Sequence, residues 1–258
     1  MRRILASLPA LALLAAPIML HAQGGPPMIT DDPGTPGPGN WEINIAALTS
    51  RFASGTEWES PLLDLNYGVG ERIQLKYEVA WVTQTLRTHP ARSGLGNSLL
   101  GVKWRFYDTG ADHWMVSTYP QLMLRNPASH SSQRGLAREG TDLLLPIELQ
   151  RTFSLTDVNI EVGRELPSRG AGSWFGGAVL GRQISQRLQL LSELRGECVS
   201  SRHGSAVAIN LGTRIGFPGR GTLLISVGRD LRNSWQERSL VFGYLGWQIT
   251  TDERRAGD

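Results

Sequence analysis

The chain has 258 residues, with 26 Lys and Arg against 23 Asp and Glu, a formal net charge of +3 and one cysteine. The lone Cys198 excludes an intrachain disulfide scaffold, and so mild a charge without a concentrated basic patch excludes a nucleic-acid partner. After the N-terminal segment no apolar run reaches the roughly 18 residues of a spanning helix, which excludes helical membrane crossings.

Residues 1–22 place Arg2 and Arg3 ahead of an apolar run from Ile4 to Leu20 and end in Ala22, the order of a cleaved secretory signal peptide. An uncleaved membrane anchor is the alternative, against which Pro9 and Pro17 interrupt the run. Residues 23–40, QGGPPMITDDPGTPGPGN, are too rich in Pro and Gly for a helix or a central strand and read as an extended lead-in to the domain at 41–258.

From there, segments of about ten residues alternate in polarity. They predict strands at 40–50, 58–67, 72–82, 97–107, 114–125, 141–152, 156–166, 174–184, 187–198, 205–217, 221–231 and 239–250. Tight turns such as YGVGER and FPGRG alternate with longer connections, of which TQTLRTHPARSGLG and NPASHSSQRGLAREG are the longest. Outer-membrane barrels have short periplasmic turns and longer external loops. The pattern therefore predicts an all-β fold: a single closed antiparallel transmembrane β-barrel of about 12 strands in the bacterial outer membrane, with both termini periplasmic.

The segment RIQLKYEVAW at 72–81 has one apolar and one ionic face, and a pleated strand does not say which of them meets water. The number of strands does, because a closed sheet of twelve leaves an interior too wide to fill with aliphatic side chains. The apolar face then meets lipid and the ionic face lines the lumen. Trp41, Trp58, Trp81, Trp104, Trp114, Trp174 and Trp247 lie at or near strand ends, the placement of an aromatic girdle at each membrane interface.

The segments PMITDDPGTPGPGNWEINIA, LDLNYGVGERIQLKYEVAW, GLGNSLLGVKWRF and LLLPIELQRTF resemble landmarks of the outer-membrane β-barrel family named for the MetA pathway of phenol degradation. The resemblance runs over most of the mature chain. It implies a barrel that moves small, often aromatic or apolar molecules across the outer membrane, without implying phenol as cargo. The charged tail TTDERRAGD departs from the aromatic ending usual in such barrels, the ending that insertion machinery reads.

Strand parity assigns Asp64, Asn66, Arg72, Gln74, Lys76, Glu78, Lys103, Arg105, Glu148, Gln150, Asn159, Glu161, Glu193, Arg195, Asn210 and Arg214 to the lumen. Both signs are present, which argues against a strong single-sign ion filter and for pairing across the lumen. These pairs either brace a narrow barrel or line a solute path. Asp31 and Asp32 of the lead-in either reach into the lumen as a plug, meeting Arg72, Lys103, Arg105 or Arg195, or belong to a solvated tail.

The outer loops carry Arg51, Arg87, Arg92, Arg134, Arg138, Arg169, Arg202 and Arg238, with Arg164 and Arg229 on the lipid-facing parity. Arginine binds phosphate bidentately, so outer-membrane lipid and lipopolysaccharide are expected partners beside a small-molecule solute and the barrel-insertion machinery. An outer-membrane lipid hydrolase is the alternative activity, with His203 beside Ser201 or Ser205, or His130 beside Ser131, as its candidates. Neither pair sits in a recognisable enzyme motif, so no enzyme is expected. A barrel that only binds or anchors is the third reading. His89, His113, His130 and His203 are scattered over separate loops, and neither a metal nor a cofactor is expected.

Overall fold

The structure, a computed structural model, describes residues 25–110, 114–127, 129–199 and 204–251. The segment expected to be a signal peptide, Arg202 and most of the charged tail lie outside them. The strands are β1 (Trp41–Arg51), β2 (Gly55–Val69), β3 (Ile73–Leu86), β4 (Arg92–Asp108), β5 (Trp114–Thr118), β6 (Gln121–Leu124), β7 (Thr141–Phe153), β8 (Thr156–Pro167), β9 (Ser173–Ser185), β10 (Leu188–Val199), β11 (Gly204–Phe217), β12 (Gly221–Asn233) and β13 (Val241–Thr250). Apart from β5 and β6, which do not pair with each other, each strand pairs antiparallel with its sequence neighbours, and β1 pairs with β13, so the sheet closes on itself.

The segments β5 and β6 both lie between β4 and β7 and form one stave, so the barrel has twelve. The fifth predicted strand, 114–125, is thus broken at Tyr119 and Pro120. Pro120 has no N–H to give to a ladder, although its carbonyl still accepts from Val102 N at 3.0 Å.

Side-chain exposure settles which face is which. Leu75, Val102, Leu194, Leu211, Val227 and Leu245 stand on the outer wall, 44–56% exposed. Asn44, Asp64, Lys103, Glu148, Gln150 and Gln189 are at most 2% exposed, inside. The barrel is oily outside and ionic within, the inverse of a water-soluble one. Among the described residues no helix is long and apolar enough to cross a membrane.

Five tight connections and the lead-in share one end of the barrel, and the longer loops share the other with one short link, residues 52–54 between β1 and β2. The connection expected at 83–96 shrinks to residues 87–91, because β3 and β4 continue pairing as far as Gln84 and Arg92. The loop after β6 keeps its length and buries Ser131, Ser132 and Leu136.

Trp41, Trp58, Trp81, Trp104 and Trp174 are 41–54% exposed on the outer wall. Trp114 and Trp247 are half-buried, Trp114 under the Arg151 guanidinium and Trp247 against Phe217. Trp41 packs tilted against Tyr67 at the turn end, while Trp58 sits nine residues from Tyr67 near the loop end of the same strand. With strands tilted by roughly 40°, that separation is about 23 Å along the axis, the height of an outer-membrane apolar band.

Candidate functional site

The lead-in enters the barrel instead of hanging below it. Met28, Thr30 and Asp32 are at most 5% exposed, and the described part of the segment, residues 25–40, is held mainly through its backbone. Arg214 on β11 donates to the carbonyls of Pro26, at 2.6 Å, and Gly25, at 3.3 Å, while Ser226 on β12 donates to Pro27 O at 2.9 Å. Glu193 on β10 accepts from Ile29 N at 3.1 Å and from Thr30 N at 2.6 Å. Arg195 reaches Thr30 Oγ1 at 3.5 Å and pairs with Glu161 at 2.8 Å. Toward the turn end, Thr35 Oγ1 donates to Glu71 O, and Gly68 N donates to Asn40 O.

Glycines in the wall make room for this segment. At Gly177 on β9 a Cβ would lie 1.9 Å from Thr30 Oγ1, and at Gly212 on β11 it would lie 2.3 Å from Met28 Cε. Proline-rich backbone suits the role, because it has few N–H groups left over and its carbonyls can take hydrogen bonds from the wall.

Lys103 on β4 is the strongest tie. Its Nζ lies 3.0 Å from Asp31 Oδ1 and 3.5 Å from Glu148 Oε2, donates to the Asp32 carbonyl and stands over the Tyr119 ring at 4.5 Å. Burial works against the Asp31 carboxylate, but Lys103 beside it and Lys76 beyond outweigh that and hold its pKa below the usual range. The second lysine, Lys76, bridges Asp64 at 3.3 Å and Glu78 at 2.8 Å. Asn44 and Asn66 also donate to Asp64, and Gln74 links Asn66 to the Tyr119 hydroxyl. Paired and hydrogen-bonded in this way, the buried charges avoid the penalty of standing alone.

The lead-in divides the lumen unequally. A cavity of about 410 Å³ lies toward the loop end, floored by Pro26, Pro27, Met28 and Ile29. A space of about 30 Å³ remains toward the turn end, beside Asp32, Thr35, Glu42 and Lys103.

The sequence matches no protein-family model, and no curated protein matches it. Among solved structures, the COG4313 outer-membrane channel of Pseudomonas putida F1 superposes with a TM-score of 0.67 at 12% identity, over 83% of this chain and 96% of that one. The KdgM porin gives 0.59 at 9% identity, over 82% and 99%, and the NanC porin 0.59 at 8% identity, over the same shares. The fold is that of an outer-membrane barrel.

Inside that barrel, the side chains of Asp64, Asn66, Gln74, Lys103, Glu148, Gln150, Asn159, Glu161, Glu193, Asn210 and Arg214 are buried, and those of Lys76, Glu78 and Arg195 are partly buried in the network. Arg72 is a correction: it sits exposed in the turn between β2 and β3, because β3 starts one residue later, at Ile73. Arg105 is inward but low, pairing with Asp108 at 3.2 Å and donating to Glu71 O, so it braces the turn end and does not meet Asp31 or Asp32.

In the loops, Arg138 pairs with Asp142 and Glu165, and Arg169 with Glu139. Arg164 lies over the Trp174 ring. His130 is exposed while Ser131 is buried and bonded to Ser129, so these two form no nucleophile–base pair. Ser201, His203 and His113 lie outside the described residues.

Sequence reasoning missed Tyr119, wholly buried between the two lysine networks, and Glu57 and Glu59 on β2. Tyr119 was hidden because the strand breaks there. The two glutamates were hidden by a bulge between Glu59 and Leu62, across which the inward parity changes from odd to even residues.

Proposed function

We propose that this chain is an outer-membrane channel for small solutes whose lead-in, residues 23–40, is a plug seated in the lumen. One observation carries the reading: the segment crosses the interior, tied to four different strands, and leaves separate spaces on either side. A tail without such a role has no reason to be gripped by Glu193, Arg214 and Lys103 at once. The resemblance to the MetA-named family supports a small aromatic or apolar cargo. The short turns and the lead-in at one end support a periplasmic location for both termini.

In this reading the signal peptide is removed on export, insertion machinery delivers the barrel, and exposed arginines such as Arg87 and Arg238 face lipopolysaccharide phosphates. The test is conductance and solute flux in planar bilayers for the mature chain and for one lacking residues 23–39. The mature chain passes little current in its plugged state, and the shortened one conducts steadily. Absence of flux in both would remove the channel and leave a barrel that only binds or anchors.

A further inference from the structure

The larger cavity has a chemistry that the plug does not account for. Its wall carries Glu57 and Glu59 from β2, Asp64 from the same strand, Glu78 from β3 and Asp230 from β12, against one cation, Lys76. Asp64 and Glu78 already share that ammonium. Among the described residues no Lys or Arg comes within ion-pair distance of Glu57 or Glu59. Among the described residues Glu57 accepts from the Gln84 amide alone, at 3.3 Å, while Arg92 donates to Gln84 and to the Arg134 carbonyl.

A second surface adjoins these carboxylates. The Tyr244 ring on β13 packs beside Leu48 against Ala46, Leu62 and Ala80, which places an aromatic and aliphatic patch next to Glu59 at the bulge. Phe242 lines the cavity above it, and Met28 and Ile29 of the lead-in form the floor.

A third, independent sign is a set of acceptors without donors. Asn210, which lines the cavity, is 2% exposed; its amide nitrogen is taken by Glu193, and among the described residues nothing donates to its buried Oδ1. Tyr244 also lines the cavity, and among the described residues its buried hydroxyl has no partner either. A buried acceptor left empty costs about 1–3 kcal/mol unless something donates to it.

We propose that this vestibule is a binding site for a small amphipathic organic cation, an ammonium carried on an aromatic or aliphatic body. The ammonium sits among Glu57, Glu59 and Glu78, and the body lies against Leu48, Leu62, Phe242 and Tyr244. Such a head group supplies charge and N–H donors together, and an aromatic face beside it adds a cation–π contact. The cavity volume falls in the range of small-molecule sites. The proposal deepens the channel reading by naming the class of solute, but the binding step stands without conduction.

The test is calorimetric titration of the purified full chain in detergent with three probes of one shape: 2-phenylethylammonium, 2-phenylethanol and 3-phenylpropionate. The cation is expected to bind at least tenfold more tightly than the alcohol, and the anion more weakly than both. In a Glu57→Gln/Glu59→Gln variant the cation's advantage falls at least tenfold while the alcohol is unchanged. Tyr244→Leu is expected to weaken cation and alcohol together. Equal binding of the three probes by the unaltered chain, or a cation advantage that survives the double variant, overturns the site. Bilayer flux reads the other question: a protein that conducts without preferring the cation loses the site alone, and one that binds it without conducting loses only the channel.

Discussion

Lys103 Nζ stands 3.0 Å from Asp31 Oδ1, an ion pair between the wall of β4 and the segment lying across the lumen. Glu148 completes it from β7, and Lys103 and Glu148 are 2% and 0% exposed. Removing one member of a buried pair costs about 3–5 kcal/mol, because the remaining charge stays buried without compensation. Lys103→Met therefore strands two carboxylates, and the lead-in is expected to leave the lumen. Bilayer recordings should show this variant conducting like the chain without residues 23–39, while Lys103→Arg stays plugged. Unaltered current in Lys103→Met, from a barrel that still migrates as folded, would mean that the ion pair does not hold the segment.

The same pair sets a pH dependence. Asp31 has a lowered pKa with the lead-in seated in the lumen, so it binds fewer protons there than in a free lead-in. The stabilisation is present above the ordinary carboxylate pKa and is lost as pH falls through the lowered one. Current through the unaltered chain is expected to stay low down to the usual aspartate range and to rise only in stronger acid. In Lys103→Gln the offsetting charge is gone, burial dominates, and the onset moves to higher pH. Titrating current against pH in both proteins checks the order of the two onsets; an identical onset counts against Asp31 as the titrating group.

Contact at Gly177 offers a test that involves no charge. A Cβ there would lie 1.9 Å from Thr30 Oγ1, 3.1 Å from its Cβ and 3.3 Å from its Cγ2, all in one side chain. Gly177→Ala should expel the lead-in and raise conductance, and adding Thr30→Gly should reseat it because it removes the three atoms nearest the new Cβ. Protease accessibility of the lead-in in the folded barrel should follow the same pattern. Failure of the second substitution to rescue the first would place the effect in β9 and not in the lead-in.

Much of this was legible in the sequence, and the reasons differ by element. Alternation fixed the inward set on β3 and β4, where Lys76 and Lys103 stand between lipid-facing neighbours, because each local stretch holds a regular period of two. Parity fails wherever the ladder slips, as between Glu59 and Leu62, and a bulge leaves no sure mark in one sequence. Arg72 was misplaced by a single residue at a strand end, where pleat arguments have least hold. That the lead-in lies inside was open from composition alone: Pro and Gly exclude regular structure but do not say what the carbonyls will meet. Its anchors, Glu193 and Arg214, lie more than 160 residues away in the chain.

The outer wall makes a prediction of opposite sign to the lumen. Leu211 on β11 is 56% exposed near the middle of its strand, while its neighbour Asn210 is 2% exposed and faces inward. In a membrane barrel an arginine on the lipid face at mid-depth costs about 2–4 kcal/mol, falling toward zero near the interfaces. Leu211→Arg is expected to destabilise the barrel by that amount in denaturant titrations in lipid vesicles. The same change at Leu231, 50% exposed near the loop end of β12, should cost under about 1 kcal/mol, because guanidinium reaches head groups there. A water-soluble barrel would show little cost at either position, since an exposed leucine replaced by arginine there meets only solvent. Equal and small effects at Leu211 and Leu231 would therefore contradict the lipid-facing assignment of the whole outer wall.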